Sequence, residues 1–206
     1  MKTISLIYMA SGRGKRFGSN KLLTLLHHKP LYQYGLETLQ AIGQANHWPL
    51  LVVTAYAEII GWCRDRQIET VRNFQADEGM AASLRIGVQY SPYADAYAFF
   101  PADQPLLRYN SIEKFLKGFL CSPYTVGAMS NGIHAMSPAV FASAYQKKLA
   151  AQQGDTGGRS ILQQHKDQLY LYYPNPEELL DIDTTADKAR CLRSMLRKPG
   201  IYGVQE

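Results

Sequence analysis

Apolar positions along the chain follow two rhythms. Residues 4–8, 50–54 and 96–100 are short continuous runs with the length and composition of strands buried on both faces. Residues 69–73, 125–129 and 169–173 read as further strands, and 179–183 closes the series. Between them the period lengthens. Over 30–45, Leu31, Tyr34, Leu36, Leu39 and Ile42 share one helical face, with Pro30 at the start. Helical spacing returns over 58–66, 80–90, 111–120 (behind Asn110 as N-cap), 139–151 (after Ser137-Pro138), a short stretch through His165, and 187–197, capped by Thr184 or Thr185. Strands that alternate with helices predict an α/β sandwich of three layers on a mostly parallel sheet. Its ligand crevice would lie at the carboxyl ends of the strands.

Composition narrows this little. A chain of 206 residues, 46% hydrophobic and 19% charged, suits one soluble globular domain spanning 1–206. The net charge of +5 suits an acidic substrate. It gathers in no run that would suggest nucleic acid or a membrane surface. Cys63, Cys121 and Cys191 are far apart and form no Cys-x-x-Cys pair, so neither a disulfide framework nor a structural zinc site is expected. With no bilayer-length apolar run and no secretory leader pattern, a cytoplasmic protein is the expectation.

The chemistry begins where the first strand ends. From Met9 to Lys21, Gly12, Gly14 and Gly18 are interleaved with Arg13, Lys15, Arg16 and Lys21. Glycine admits positive φ and leaves backbone N–H groups uncovered, and clustered N–H groups with nearby cations bind anions. A polyphosphate cradle fits this stretch, and so does a tight turn with solvated cations. Two familiar labels fail on spacing. A Walker A loop needs Gly-x-x-x-x-Gly-Lys, but here Gly18 comes one residue late and Ser19 stands where the lysine should be. The dinucleotide fingerprint needs a third glycine where Phe17 stands.

Two carboxylate positions could complete such a site. Asp103 follows the strand at 96–100 between Pro101 and Pro105, where it can hold Mg²⁺ over a bound phosphate or simply cap a turn. Asp181 and Asp183 are two apart, so on a strand they would share a face and converge on one cation; they also suit strand-end and helix-capping roles.

Together these parts resemble the MobA-like nucleotidyltransferases, and within them the molybdenum cofactor cytidylyltransferases. The resemblance rests on five segments in order: Met9-Ala10-Ser11-Gly12 with Arg16-Phe17-Gly18 and Lys21; Gly79-Met80-Ala81-Ala82-Ser83-Leu84; Ala102-Asp103-Gln104-Pro105; Gly154-Asp155 with Gly157-Gly158-Arg159; and Asp181-Ile182-Asp183-Thr184. It implies a GT-A-like, Rossmann-like fold and transfer of a nucleotide from Mg-NTP to a phosphate monoester, with release of pyrophosphate. By that likeness Arg16, Lys21, Asp103 and Asp183 are the catalytic residues. Ala10, Ser11, Gly12, Gly14, Arg16, Lys21, Asn73, Gly79, Ser83 and Asp103 would bind the nucleotide. Asp103, Asp183 and, in support, Asp181 would hold Mg²⁺, and Ser137, Asp155 and Arg159 would meet the acceptor. Relatives with Ala-Ala-Gly in the loop tend to take CTP and those with Ala-Gly-Gly GTP. The Ser11 side chain here should exclude a purine, which favours CTP.

The implied acceptor is a phosphorylated pterin, with a molybdenum hydroxylase as possible recipient of the product. GTP, a sugar phosphate or another phosphorylated metabolite stays open as an alternative, as does a non-catalytic protein that binds and delivers the cofactor. Ser11, Ser137 and His28 depart from the family pattern. A phosphate monoester has a second pKa near ~6 and is already mostly dianionic at neutral pH, so no general base is required. None stands out in the sequence.

Overall fold

The structure, a computed structural model, describes residues 2–12, 14, 17, 20–154 and 157–197. Its core is a seven-stranded sheet: β1 (Ile4–Ala10), β4 (Leu50–Thr54), β5 (Glu69–Arg72), β6 (Ala96–Pro101), β7 (Val126–Ser130), β8 (Ala135–Ala142) and β9 (Tyr170–Tyr172). The spatial order is β5-β4-β1-β6-β8-β7-β9. Every pairing is parallel except the two made by β8, so six strands end on one edge and β8 begins there. A separate small hairpin pairs β2 (Leu25–Leu26) with β3 (Lys29–Pro30).

Alternation on β1 explains the three layers. Ile4, Leu6, Tyr8 and Ala10 face one core with α1 (Leu31–Asn46), α2 (Ala57–Arg64), α4 (Tyr109–Cys121) and α7 (Thr185–Leu196). Ile7 and Met9 face the other with α3 (Met80–Tyr90), α5 (Gln146–Ala150) and α6 (Arg159–Gln164). Both faces of the strand are buried, which is why its sequence is a continuous apolar run. The α/β sandwich on a mostly parallel sheet is therefore the observed fold. Among the described residues no helix is long and apolar enough to cross a membrane.

Four expectations need correction. The helix expected over 139–151 is mostly strand: Ala139, Val140 and Phe141 pair with both β6 and β7, and helix persists only over Gln146–Ala150. Its apolar run suits a helix or a buried strand equally, and neighbours on both sides decided for the strand. The strand expected over 179–183 is absent. Asn175 instead caps a 3-10 turn over Pro176–Leu179, and the chain then passes beside the loop after β6, where the Ile182 N–H donates to the Asp103 carbonyl (3.0 Å). Asn110 is not the N-cap of α4, which starts at Tyr109 behind Arg108 with no side-chain cap bond. The hairpin at β2–β3 was not foreseen; His27 takes its left-handed position (φ 53°), a conformation for which glycine is the usual residue. The cap of α7 is Thr184, in a reciprocal box with Asp187.

Close packing of α3 on β1 gives a direct test. A Cβ at Gly87 would stand 2.6 Å from Cγ2 of the buried Ile7. The gain in helix propensity from alanine, about 1 kcal/mol, is smaller than this overpacking. Gly87→Ala should lower stability by about 1–2 kcal/mol in urea unfolding.

Candidate functional site

The carboxyl ends of β1 and β6 and the turn before α3 line a cleft of about 500 Å³, walled by residues that include Met9, Ser11, Gly12, Gly14, Asp77, Gly79, Met80, Ser83, Asp103 and Asp183, with Lys21 also in its wall. Its first wall is the turn after β1. Ala10 is buried and its carbonyl accepts from Thr54 Oγ1 (2.8 Å). Ser11 donates to the Val53 carbonyl (3.2 Å), and Tyr56 donates its hydroxyl to the Gly12 carbonyl (2.8 Å). These bonds from β4 pin the turn while Gly14 takes positive φ (57°), the conformation glycine admits most readily. Arg16 lies outside the described residues, as do Arg13, Lys15 and Asp155.

Opposite stands the segment leading into α3. Asn73, at the end of β5, is buried and donates Nδ2–H to Ser83 Oγ (3.2 Å), while its Oδ1 accepts from the Gln75 N–H (2.8 Å). Gly79 turns at φ 88° to start α3. Ser83 and Gly79 line the cleft, and Asn73 stands behind Ser83.

At the floor, Asn20 caps a 3-10 turn over Lys21–Leu23 that carries Lys21 inward until its side chain is 7% exposed. Its ammonium donates to Asp103 Oδ2 (2.8 Å) and to Asp183 Oδ1 (2.7 Å). Burial alone would lower the lysine pKa, but the two carboxylates outweigh it and the net shift is upward, so the group stays charged. Asp103 is set by the loop after β6 and Asp183 by the entry to α7, where the Asp183 N–H donates to Asp187 Oδ2 (3.3 Å).

Asp181 does not join this pair at the lysine. Gln104 donates Nε2–H to both Asp181 Oδ1 (2.9 Å) and the Ser137 carbonyl (3.2 Å). Burial first, then the negative charge of Asp103, pushes the Asp181 carboxyl up to about 6. Because residues 179–183 form no strand, the alternation argument for Asp181 and Asp183 does not apply.

Among the described residues no three metal-ligating side chains form a ready-made cluster. Asp103 and Asp183 nevertheless fit a cation that completes its oxygen shell from a phosphate. They already share the Lys21 ammonium, and Asp103 Oδ1 is buried with no hydrogen-bond partner among the described residues.

A second cavity of about 180 Å³ abuts the cleft, with Met9 and Met80 in the walls of both. It is lined mainly by apolar side chains, among them Leu84, Phe99, Met136 and Phe141, with Ser137 and Arg159 at its polar positions. Two residues expected from separate parts of the chain, on β8 and at the start of α6, are thus brought together. Sequence reasoning missed Met9 and Met80 as shared wall residues and Tyr56 as a clamp on the cradle. The alternation of β1, which gives Met9 to the α3 side, was the one signal that could have found the first.

Asp181 supplies a pH test with a definite sign. Its folded-state pKa, about 6, lies above the ordinary 3.8, so the folded chain binds the extra proton and stability falls as pH rises across that window. Asp181→Asn should match wild type in thermal melts below about pH 4. Above about pH 6, without added metal, it should be more stable by about 1–3 kcal/mol.

Comparison with known proteins agrees with this fold. No curated protein matches the sequence. Among solved structures, a nucleotidyl transferase from Methanothermobacter thermautotrophicus superposes with a TM-score of 0.77 at 22% identity, covering 94% of this chain and 98% of that one. Rv0371c from Mycobacterium tuberculosis in complex with manganese gives a TM-score of 0.71 at 17% identity, covering 94% and 100%. Molybdopterin-guanine dinucleotide biosynthesis protein A from Archaeoglobus fulgidus gives 0.69 at 14% identity, covering 94% and 99%. At these identities the likeness is one of fold. The model of the MobA-like NTP transferase domain matches residues 6–169. Since that match spans most of the chain, the protein belongs to the MobA-like NTP transferase family.

Proposed function

We propose that this nucleotidyltransferase moves a nucleoside monophosphate from Mg-NTP, with CTP preferred, to the terminal phosphate of a molybdopterin-type acceptor. The observation that carries the proposal is the joined pair of cavities. A cleft with a lysine and two aspartates at its floor opens beside an apolar chamber that presents Arg159 and Ser137. The cleft suits a triphosphate. The chamber, walled by methionine and phenylalanine, suits a flat ring body better than a bare sugar, and its arginine suits the anion that body carries.

An oxygen of the dianionic acceptor phosphate would attack the α-phosphorus, forming a new P–O–P bridge. The bond from that phosphorus to the α–β bridging oxygen breaks, and pyrophosphate leaves with the bond's electrons. No proton need move in this step. Lys21, released from the aspartates, would offset charge growing on the leaving group, with Arg16 beside it. Gly12 and Gly14 would offer backbone N–H groups to the phosphates, and Arg159 with Asp155 and Ser137 would orient the acceptor. Asp103 and Asp183, with Asp181 in support, would hold Mg²⁺, which would supply charge neutralisation for the phosphates. The manganese complex of the mycobacterial relative supports a divalent ion in this fold.

Base choice would lie with Asn73, Ser83, Gly79 and Ser11. Ser11 lines the cleft with its hydroxyl bonded to the Val53 carbonyl, and its side chain would narrow the space for a purine. The biosynthesis protein from Archaeoglobus supports a molybdopterin acceptor, and a molybdenum hydroxylase is the matching recipient for the product.

Thermal shift with Mg²⁺ and CTP, GTP, ATP or UTP should show the largest rise with CTP. Pyrophosphate release with CTP and a molybdopterin acceptor tests the reaction itself. Asp103→Ala and Lys21→Ala should each lower turnover by about 10²-fold or more while melting cooperatively; unchanged turnover in either variant excludes this mechanism. A further outcome follows from the ammonium already seated between the aspartates. Lys21→Met should bind Mn²⁺ in the absence of nucleotide about tenfold or more tightly than wild type, as read by paramagnetic resonance of free Mn²⁺.

A further inference from the structure

Arg85 belongs to neither cavity, yet it touches the segments that serve both. Its Nη2 donates to Gln75 Oε1 (3.2 Å) and Glu78 Oε2 (2.5 Å), in the turn between β5 and α3 that borders the nucleotide cleft. Its Nη1 donates to the Gln152 carbonyl (3.0 Å), in the segment after α5. Each end continues toward a candidate binding residue. On the cleft side, the Gln75 N–H donates to Asn73 Oδ1, and Asn73 in turn donates to Ser83. On the other side, Gln152 Oε1 accepts from Ser160 Oγ (2.8 Å), next to Arg159 at the start of α6.

Packing is open where the guanidinium makes this connection. A cavity of about 420 Å³, lined by Glu78, Arg85 and residues 150–154, opens where the guanidinium crosses. The Glu78 carboxylate is half exposed, and ion pairs in that setting add little stability. A second fastening lies nearby: the Ala81 N–H donates to the Gly154 carbonyl (3.0 Å), and a Cβ at Gly157 would stand 3.0 Å from Met80 Sδ. Residues 150–154 and 157–160, called the acceptor arm below, are therefore moored to the first two turns of the helix that borders the nucleotide.

We infer that Arg85 is a positioning residue: it couples filling of the nucleotide cleft to placement of the acceptor arm, and so sets where Arg159 stands when the acceptor arrives. The inference rests on the nucleotide reading given under Proposed function. A nucleotide against Gly79 and Ser83 restrains the 75–79 turn, and the planar fork passes that restraint to the Gln152 carbonyl and on to Ser160. Coupling of this kind travels through contiguous bonded groups and is measured as a change at one site when the other fills.

Amide hydrogen exchange with Mg²⁺ and each of CTP, GTP, ATP and UTP tests it without an acceptor. In wild type the preferred nucleotide should slow exchange at 73–83 and, by about fivefold or more, in the acceptor arm. In Arg85→Ala the slowing at 73–83 should persist and that in the arm should vanish. Arg85→Lys keeps the charge but not the fork; it should lose the arm's protection as well and serves if the alanine chain is unstable. Slowing confined to 73–83 in wild type, or arm protection that survives in the variants, overturns the inference and leaves the nucleotide site standing. No slowing at 73–83 with any of the four nucleotides overturns the nucleotide reading, and the inference with it.

Discussion

The ammonium of Lys21 between two carboxylates is the interaction on which the site depends. Exposure rises across it: the lysine side chain is 7% exposed, Asp103 22% and Asp183 50%. A buried cation is tolerated only with close partners, and here the cation and its two partners come from three distant segments: the turn after the glycine loop, the loop after β6 and the entry to α7. Meeting that requirement draws the three segments to one point. The cluster is open on the Asp183 side, toward the cleft, where an anionic ligand or a second cation can rearrange it.

The sheet serves this point by its direction. Six strands end on the cleft edge, and the seventh, β8, starts there. That reversal brings Ser137 to the same edge as Asp103 and Gly79, which a further parallel strand would not have done. Gln104 then ties the Ser137 carbonyl to Asp181, so the chamber beside β8 and the carboxylate side share one amide.

Much of this was legible in the residues. The strands at 4–8, 50–54 and 96–100 and the helix at 80–90 each lie within a residue or two of their expected bounds. The stretch at 139–151 failed because a short apolar run has no rhythm of its own. Whether Val140 and Phe141 pair or coil depends on neighbours contributed from elsewhere in the chain. Asp181 and Asp183 misled for a related reason: alternation assumes a strand, and a five-residue segment becomes one only if a sheet edge is free to receive it. Lys21, Asp103 and Asp183 were named from motif order, but their direct contact is a long-range fact that local pattern does not contain. The methionine wall was legible only in part: alternation on β1 gives Met9 to the α3 side, but nothing local shows that it meets Met80 there.

That wall has a consequence for how the two chambers relate. Met9 and Met80 have soft, unbranched side chains, among the most adaptable a protein can place between two spaces. A partition built from them is compliant: room taken by a bulky group on one side is surrendered by the other. The chambers therefore share one total volume, and substitution of either methionine by a stiff β-branched residue would fix a division that the present chain leaves adjustable.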